Sequence, residues 1–281
     1  MSRFMKRIHQ FFFLLVLVGF SACSPYLKQF QTAQEAFNKG AETENSQKLN
    51  PNTPITVSPE SNYRMARTFI IKSMGGGEAK HDKTNLAKDG LLLNAYTIKG
   101  LSEWKLGMFS EAISTSKNCK ITFSNDESVK SQRDFVVMMS LEALVYNDSV
   151  EKYIRSIPKE GTIQSISDKS KTAMENLKTA FEIISEQRTN ISHEHPVQTY
   201  LIISQLSIAK NLKNLTGKLQ RQLRKGRSAD YNTVYKPMLE KEKAEINKKL
   251  IPVFADFETA LGDKNHALYQ LWKKTHADVG N

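Results

Sequence analysis

Two cysteines, six histidines and a few carboxylate pairs are the residues that could do chemistry in this 281-residue chain. Cys119 falls where a helix takes a small apolar side chain, which favours a buried structural thiol. No histidine stands near it in the local signature of a nucleophile. His193-Glu194-His195 places two imidazoles at i and i+2, which do not share a helix face, and no third ligand is evident. Those letters read as a polar loop ahead of Pro196, at a helix start. Gly75-Gly76-Gly77 lacks the Gly-Lys-Ser/Thr of a phosphate loop and a strand before it, and reads as a turn between helices. Glu242 and Glu245 interleave with Lys241, Lys243, Lys248 and Lys249 as surface charges. With no nucleophile elbow, HExxH, dinucleotide fingerprint or EF-hand loop, no metal, cofactor or enzymatic activity is expected.

One charged stretch stands out. Lys210, Lys213, Lys218, Arg221, Arg224, Lys225 and Arg227 occur with no acidic residue among them. The first five are spaced to make much of one helix face positive. Either this is a solvated helix end whose cations complement the helix dipole, or it is a contact for anionic lipid or an acidic partner.

Cys23 has a different setting. Arg3, Lys6 and Arg7 precede an apolar core at residues 11–20, too short to span a bilayer, so residues 1–22 read as a secretory signal. The core runs into Phe20-Ser21-Ala22-Cys23. This resembles the lipobox of bacterial lipoproteins, with Phe20 where that family usually has an aliphatic residue. The alternative is an ordinary cleaved leader with Cys23 beside the cut by chance. The resemblance implies cleavage before Cys23, acylation of Cys23 and a lipid bilayer as partner. By the same resemblance, Ser24 after the cysteine favours an outer-membrane anchor facing the periplasm of a bacterial envelope.

The remaining 259 residues must supply a folded body. Composition, 40% hydrophobic and 25% charged, suits one large or two small cores. Losing the leader lowers the formal charge from +11 to +8, which marks either a merely basic, solvated surface or a contact for anionic headgroups or an acidic protein surface, rather than for nucleic acid in that compartment. Acylation of Cys23 would leave Cys119 without an intramolecular partner, which excludes a disulfide framework.

Apolar spacing predicts helices over almost all of this body. The expected spans are 26–47, a helix begun at Ser58 or Glu60 and ended by the glycines at 75–77, then 86–106 and 109–121. Asp126 is expected to cap 129–146, Asn147-Asp148 to turn into 150–157, and Ser167 or Asp168 to cap a helix to 188. Further helices are expected at 197–215, from Pro237 with an interruption or kink at Pro252, and at 266–276. Strand-like alternation is absent, so the expected fold is all-α.

Residues 95–119 carry a second resemblance. Gly100, Gly107, Phe109, Ala112 and Cys119 fall on the small, turn, aromatic, small and small positions of a tetratricopeptide repeat, a two-helix unit of about 34 residues. The clearest unit is 86–121. A fainter copy echoes it at 141–154, and Met174 to Ile183 reads as a return helix. Residues 23–281 are therefore expected to form stacked antiparallel helix pairs, either a tetratricopeptide-like α-solenoid or an irregular helical bundle. The two resemblances together imply a membrane-anchored adaptor or assembly subunit with an envelope protein as partner. The alternative is a small-molecule-binding accessory of an uptake system, using a cavity in the helical body.

Overall fold

The computed structural model describes residues 24–50, 57–76, 83–158 and 161–277. The expected leader and Cys23 lie outside them. Every regular element among these residues is helical: α1 (Pro25–Leu49), α2 (Pro59–Ser73), α3 (Lys83–Lys88), α4 (Leu92–Lys105), α5 (Phe109–Thr122), α6 (Arg133–Ser156), α7 (Asp168–Thr189), α8 (Gln198–Lys225), α9 (Lys236–Leu261) and α10 (Ala267–Thr275). A 3-10 turn occupies Glu127–Val129 and a π-helical turn Tyr231–Tyr235. The fold is all-α, as expected.

Several boundaries follow local chemistry. Ser58 and Ser167 each accept a hydrogen bond from the backbone N–H three residues on, at 3.2 Å, and so start α2 and α7. The end of α4 is closed by Gly107 at φ +73°, with Gly107 N–H bonded to the Trp104 carbonyl and Met108 N–H to that of Glu103. That reciprocal pair is a Schellman cap, which needs a left-handed residue at its centre.

Three expected boundaries are corrected. Residues 86–106 do not form one helix, because Gly90 at φ +70° closes α3 with the same pair of bonds and α4 begins at Leu92. Asp126 caps only the 3-10 turn, accepting from Ser128 N–H at 3.0 Å, and α6 starts at Arg133. Asn147 and Asp148 make no turn. Asn147 bonds to Ser207 and Asn211 of α8, and Asp148 to Trp104 of α4, so both turn-forming side chains are diverted and α6 runs through them. The fainter copy at 141–154 is thus a single helix.

One more helix outruns its expected end at 215, since Gly217 does not stop α8, which continues to Lys225. Another, α9, is not interrupted at Pro252. At the end of α8 the glycine and the left-handed residue are separated. Gly226 has no room for a Cβ, which would overlap the Ile163 carbonyl oxygen, and the next residue, Arg227, takes φ +50°. A non-glycine residue there costs about 1–2 kcal/mol.

Packing follows chain order: α1 on α2, α2 on α4, α4 on α5, α5 on α6, α6 on α7, α7 on α8, α8 on α9 and α9 on α10. Alternate helices also touch, α1 with α4, α4 with α6, and α6 with α8, so these four form one row, with α2, α5, α7 and α9 beside them. Two apolar clusters meet at α6. Its Phe135, Met138, Leu141 and Val145 join the N-terminal cluster, and its Val136, Ala143 and Val150 join the C-terminal one.

Hydrogen bonds show which helix ends lie together. At one end, Ser73 Oγ donates to the Tyr26 carbonyl at 2.8 Å, Tyr26 OH to Asp89 at 2.6 Å, and Asn94 to Asp134 at 2.6 Å. This proximal end holds the starts of α1, α4 and α6. At the distal end, Glu44 late in α1 meets Tyr63 early in α2 and Lys105 at the close of α4. The helices therefore alternate in direction.

Candidate functional site

The side chains at the close of α4 point two ways. Glu103 turns inward and is fully buried. Its carboxylate receives Lys99 Nζ at 3.1 Å, Arg67 Nε at 3.3 Å and the Thr115 hydroxyl at 2.6 Å, which ties α4 to α2 and α5. Trp104 and Lys105 face a distal groove of about 320 Å³, whose walls also include Glu44, Tyr63, Phe109 and Asp148. That size lies near the low end for small-ligand pockets.

The groove is braced by its own polar contacts. Trp104 Nε1 donates to Asp148 Oδ2 at 2.9 Å, and Lys105 Nζ donates to Glu44 Oε1 at 2.9 Å while lying 4.7 Å from the Trp104 ring centre. Lys152 Nζ stands 4.5 Å from the Phe109 ring centre, and Tyr63 OH donates to Glu44 Oε2 at 2.8 Å. Burial, reinforced by the Glu44 carboxylate, pushes the Tyr63 phenol far above its ordinary range, so it remains a donor. Burial also raises the Asp148 carboxyl; the Trp104 N–H offsets part of that rise, Glu151 adds to it, and Lys105 and Lys152 oppose it. Flat aromatic surface with cations and carboxylates at fixed positions suits recognition of a polypeptide segment bearing both apolar and charged groups.

The residues singled out in the sequence are dispersed. Gly107 and Phe109 line the groove. Gly100 faces α6, where an added Cβ would stand 2.8 Å from Met138 Cε and 2.9 Å from Leu141 Cδ2. Ala112 and Cys119 are fully buried, and burial, with the nearby Asp134 carboxylate, pushes the Cys119 thiol up to about 12. His195 spans Ser131 and Val197, its Nε2 lying 3.0 Å from the Ser131 carbonyl and its Nδ1 accepting from Val197 N–H. Among the described residues there is no cluster of three His, Cys, Asp or Glu that could hold a metal.

The basic stretch does not act as one surface. Lys218 Nζ donates to the carbonyls of Ile154 at 2.7 Å and Ile157 at 2.5 Å, where it complements the C-terminal end of α6. Lys213 is half-buried, while Lys210, Arg221, Arg224, Lys225 and Arg227 are exposed.

A second cleft of about 500 Å³ lies between α7 and α9, with Phe181, Val253 and Pro252 among its apolar walls. Arg188 in it bonds to Gln205 Oε1 at 2.5 Å and pairs with Asp256. The buried Arg188 Nε and Gln198 Oε1 have no hydrogen-bond partner among the described residues. Sequence reading missed Glu44, Tyr63, Lys105 and Asp148 because they converge from four separate helices. The only local signal was Trp104 just ahead of the Gly107 turn and Phe109. No family model matches this chain, and no curated protein and no solved structure matches it either.

Proposed function

We propose that the chain is an envelope lipoprotein whose tetratricopeptide-like solenoid binds a segment of another protein. The pairs α1/α2, α4/α5, α6/α7 and α8/α9 are its repeating units, in a row of the kind such repeats form by nearest-neighbour packing. The observation that carries the reading is the distal groove, where α2, the end of α4 and the start of α5 bring Tyr63, Trp104 and Phe109 together at the end away from the start of α1. Cys23, two residues before Pro25, is the acylation site, and the bilayer is the first partner.

Two experiments test the two halves. Cys23→Ala is expected to abolish incorporation of a fatty-acid analogue in the native host and to leave precursor uncut; equal label on the variant rules out acylation of Cys23. A photo-crosslinking residue at Phe109 is expected to give discrete protein adducts in cells, whereas one at Ile121, exposed at the proximal end of α5, gives none. Identical adduct patterns from the two positions would remove the groove as the binding site. The second cleft, with unpartnered polar atoms on Arg188 and Gln198, supports the alternative of a small-molecule-binding accessory. On that reading adducts would be absent at both positions.

A further inference from the structure

We propose that the distal corner where α8 passes into α9 is a contact for an anionic lipid surface, with the π turn as its apolar tip. Arg221, Arg224, Lys225, Arg227 and Lys236 are all exposed there, and none makes an ion pair among the described residues. Only Asp230 and Glu240 oppose them between residues 221 and 240. The face is thus narrower than the basic stretch as a sequence, since Lys218 is held by α6 and Lys210 lies several turns back along α8.

Charge is joined by apolar surface. Val234, in the turn between the two helices, is 52% exposed, while Tyr231 and Tyr235 on either side of it rest partly on the C-terminal cluster. An exposed aliphatic side chain between two half-buried tyrosines, with exposed cations in the adjoining helix ends, matches the polarity profile of a headgroup layer. An acidic protein would be met by the cations alone and would leave Val234 unused.

Arg227 adds an independent sign. Close approach to Ile163 reserves position 226 for glycine, so the left-handed residue of the cap is an arginine. The backbone conformation is used by the cap bonds of Arg227 N–H to the Arg224 carbonyl and Ser228 N–H to that of Leu223, which need no particular side chain. The Arg227 guanidinium makes no hydrogen bond or ion pair among the described residues.

The proposal rests on the lipoprotein reading for its setting. Cys23 adjoins the start of α1 at the proximal end, and the corner lies at the distal end, so engaging both lays the helical row along the bilayer. A tether raises the effective concentration of the second contact, so a weak patch suffices.

The test uses residues 24–281, which contain every described helix and carry no lipid, so its outcome is independent of Cys23 acylation. This chain is expected to float with phosphatidylcholine vesicles containing phosphatidylglycerol and not with phosphatidylcholine alone. Binding should fade as salt rises, since the Debye length is about 8 Å at physiological ionic strength. Arg221→Glu with Arg224→Glu is expected to reduce binding by about tenfold or more. Arg227→Gly should weaken binding while raising the melting temperature, because glycine takes the left-handed conformation without strain. Val234→Ser should lower binding without changing its salt dependence. Absence of flotation with anionic vesicles at low salt overturns the proposal, as does flotation unaffected by the arginine variants. Retention on poly-glutamate without vesicle binding also overturns it, and gives the corner to an acidic protein.

Discussion

Glu103→Ala is expected to destabilise the protein by about 3 kcal/mol, the low end of the range for removing one partner of a buried ion pair. The side chain is fully buried and gathers a lysine, an arginine and a hydroxyl. Its loss leaves Arg67 and Lys99 without their counter-charge and Thr115 without its acceptor. The two cations are 30% and 20% exposed, so each keeps some access to water, which sets the effect at the low end. Glu103→Gln keeps the shape and an acceptor for Thr115, and should cost about half as much. Chemical denaturation of the two variants against wild type is the measurement. An alanine variant within about 0.5 kcal/mol of wild type would place Glu103 among ordinary surface charges and remove the inferred clamp among α2, α4 and α5.

At Gly100 the expected result is a contrast between two substitutions. Leucine should destabilise by about 3 kcal/mol, the upper part of the range for overpacking a well-filled interior. The side chain would enter space held by Met138 and Leu141, both fully buried. Alanine needs only small shifts at the flexible ends of those side chains, and its better helix propensity returns up to about 1 kcal/mol. Met138→Ala, destabilising alone, should relieve part of the leucine's cost, so the double variant lies above the sum of the singles by about 1 kcal/mol or more. Strict additivity would mean that Gly100→Leu acts elsewhere than at the α4–α6 junction.

These two residues show what was legible in the sequence. Gly100 carried a local signature, a small residue about two helical turns before a Gly-x-Phe turn, and spacing alone sufficed to single it out. The helical class and the caps at Ser58 and Ser167 were legible for the same reason, since periodicity and capping are short-range. Glu103 was one charged letter in a helix, and only the fold brings Arg67, 36 residues away, against it. The false turn at Asn147-Asp148 arose where long-range partners outweigh local preference, because α4 and α8 take up the side chains that would otherwise bend the backbone. The opposite error occurred at Asp89-Gly90, a turn dipeptide hidden inside apolar spacing that continues on both sides of it.

The position of Tyr26 has a mechanical consequence. In a protein held by Cys23, any pull between bilayer and body enters at Pro25, beside the end of α2. An antiparallel pair loaded at that corner opens turn by turn, like a zip, and does not shear along its length. Its first fastenings are the Tyr26 phenol on Asp89 and the Tyr26 carbonyl on Ser73. Glu44, which braces Tyr63 and Lys105, sits in the last turns of α1 and parts late. The groove therefore keeps that wall under tension until α1 is almost wholly peeled away.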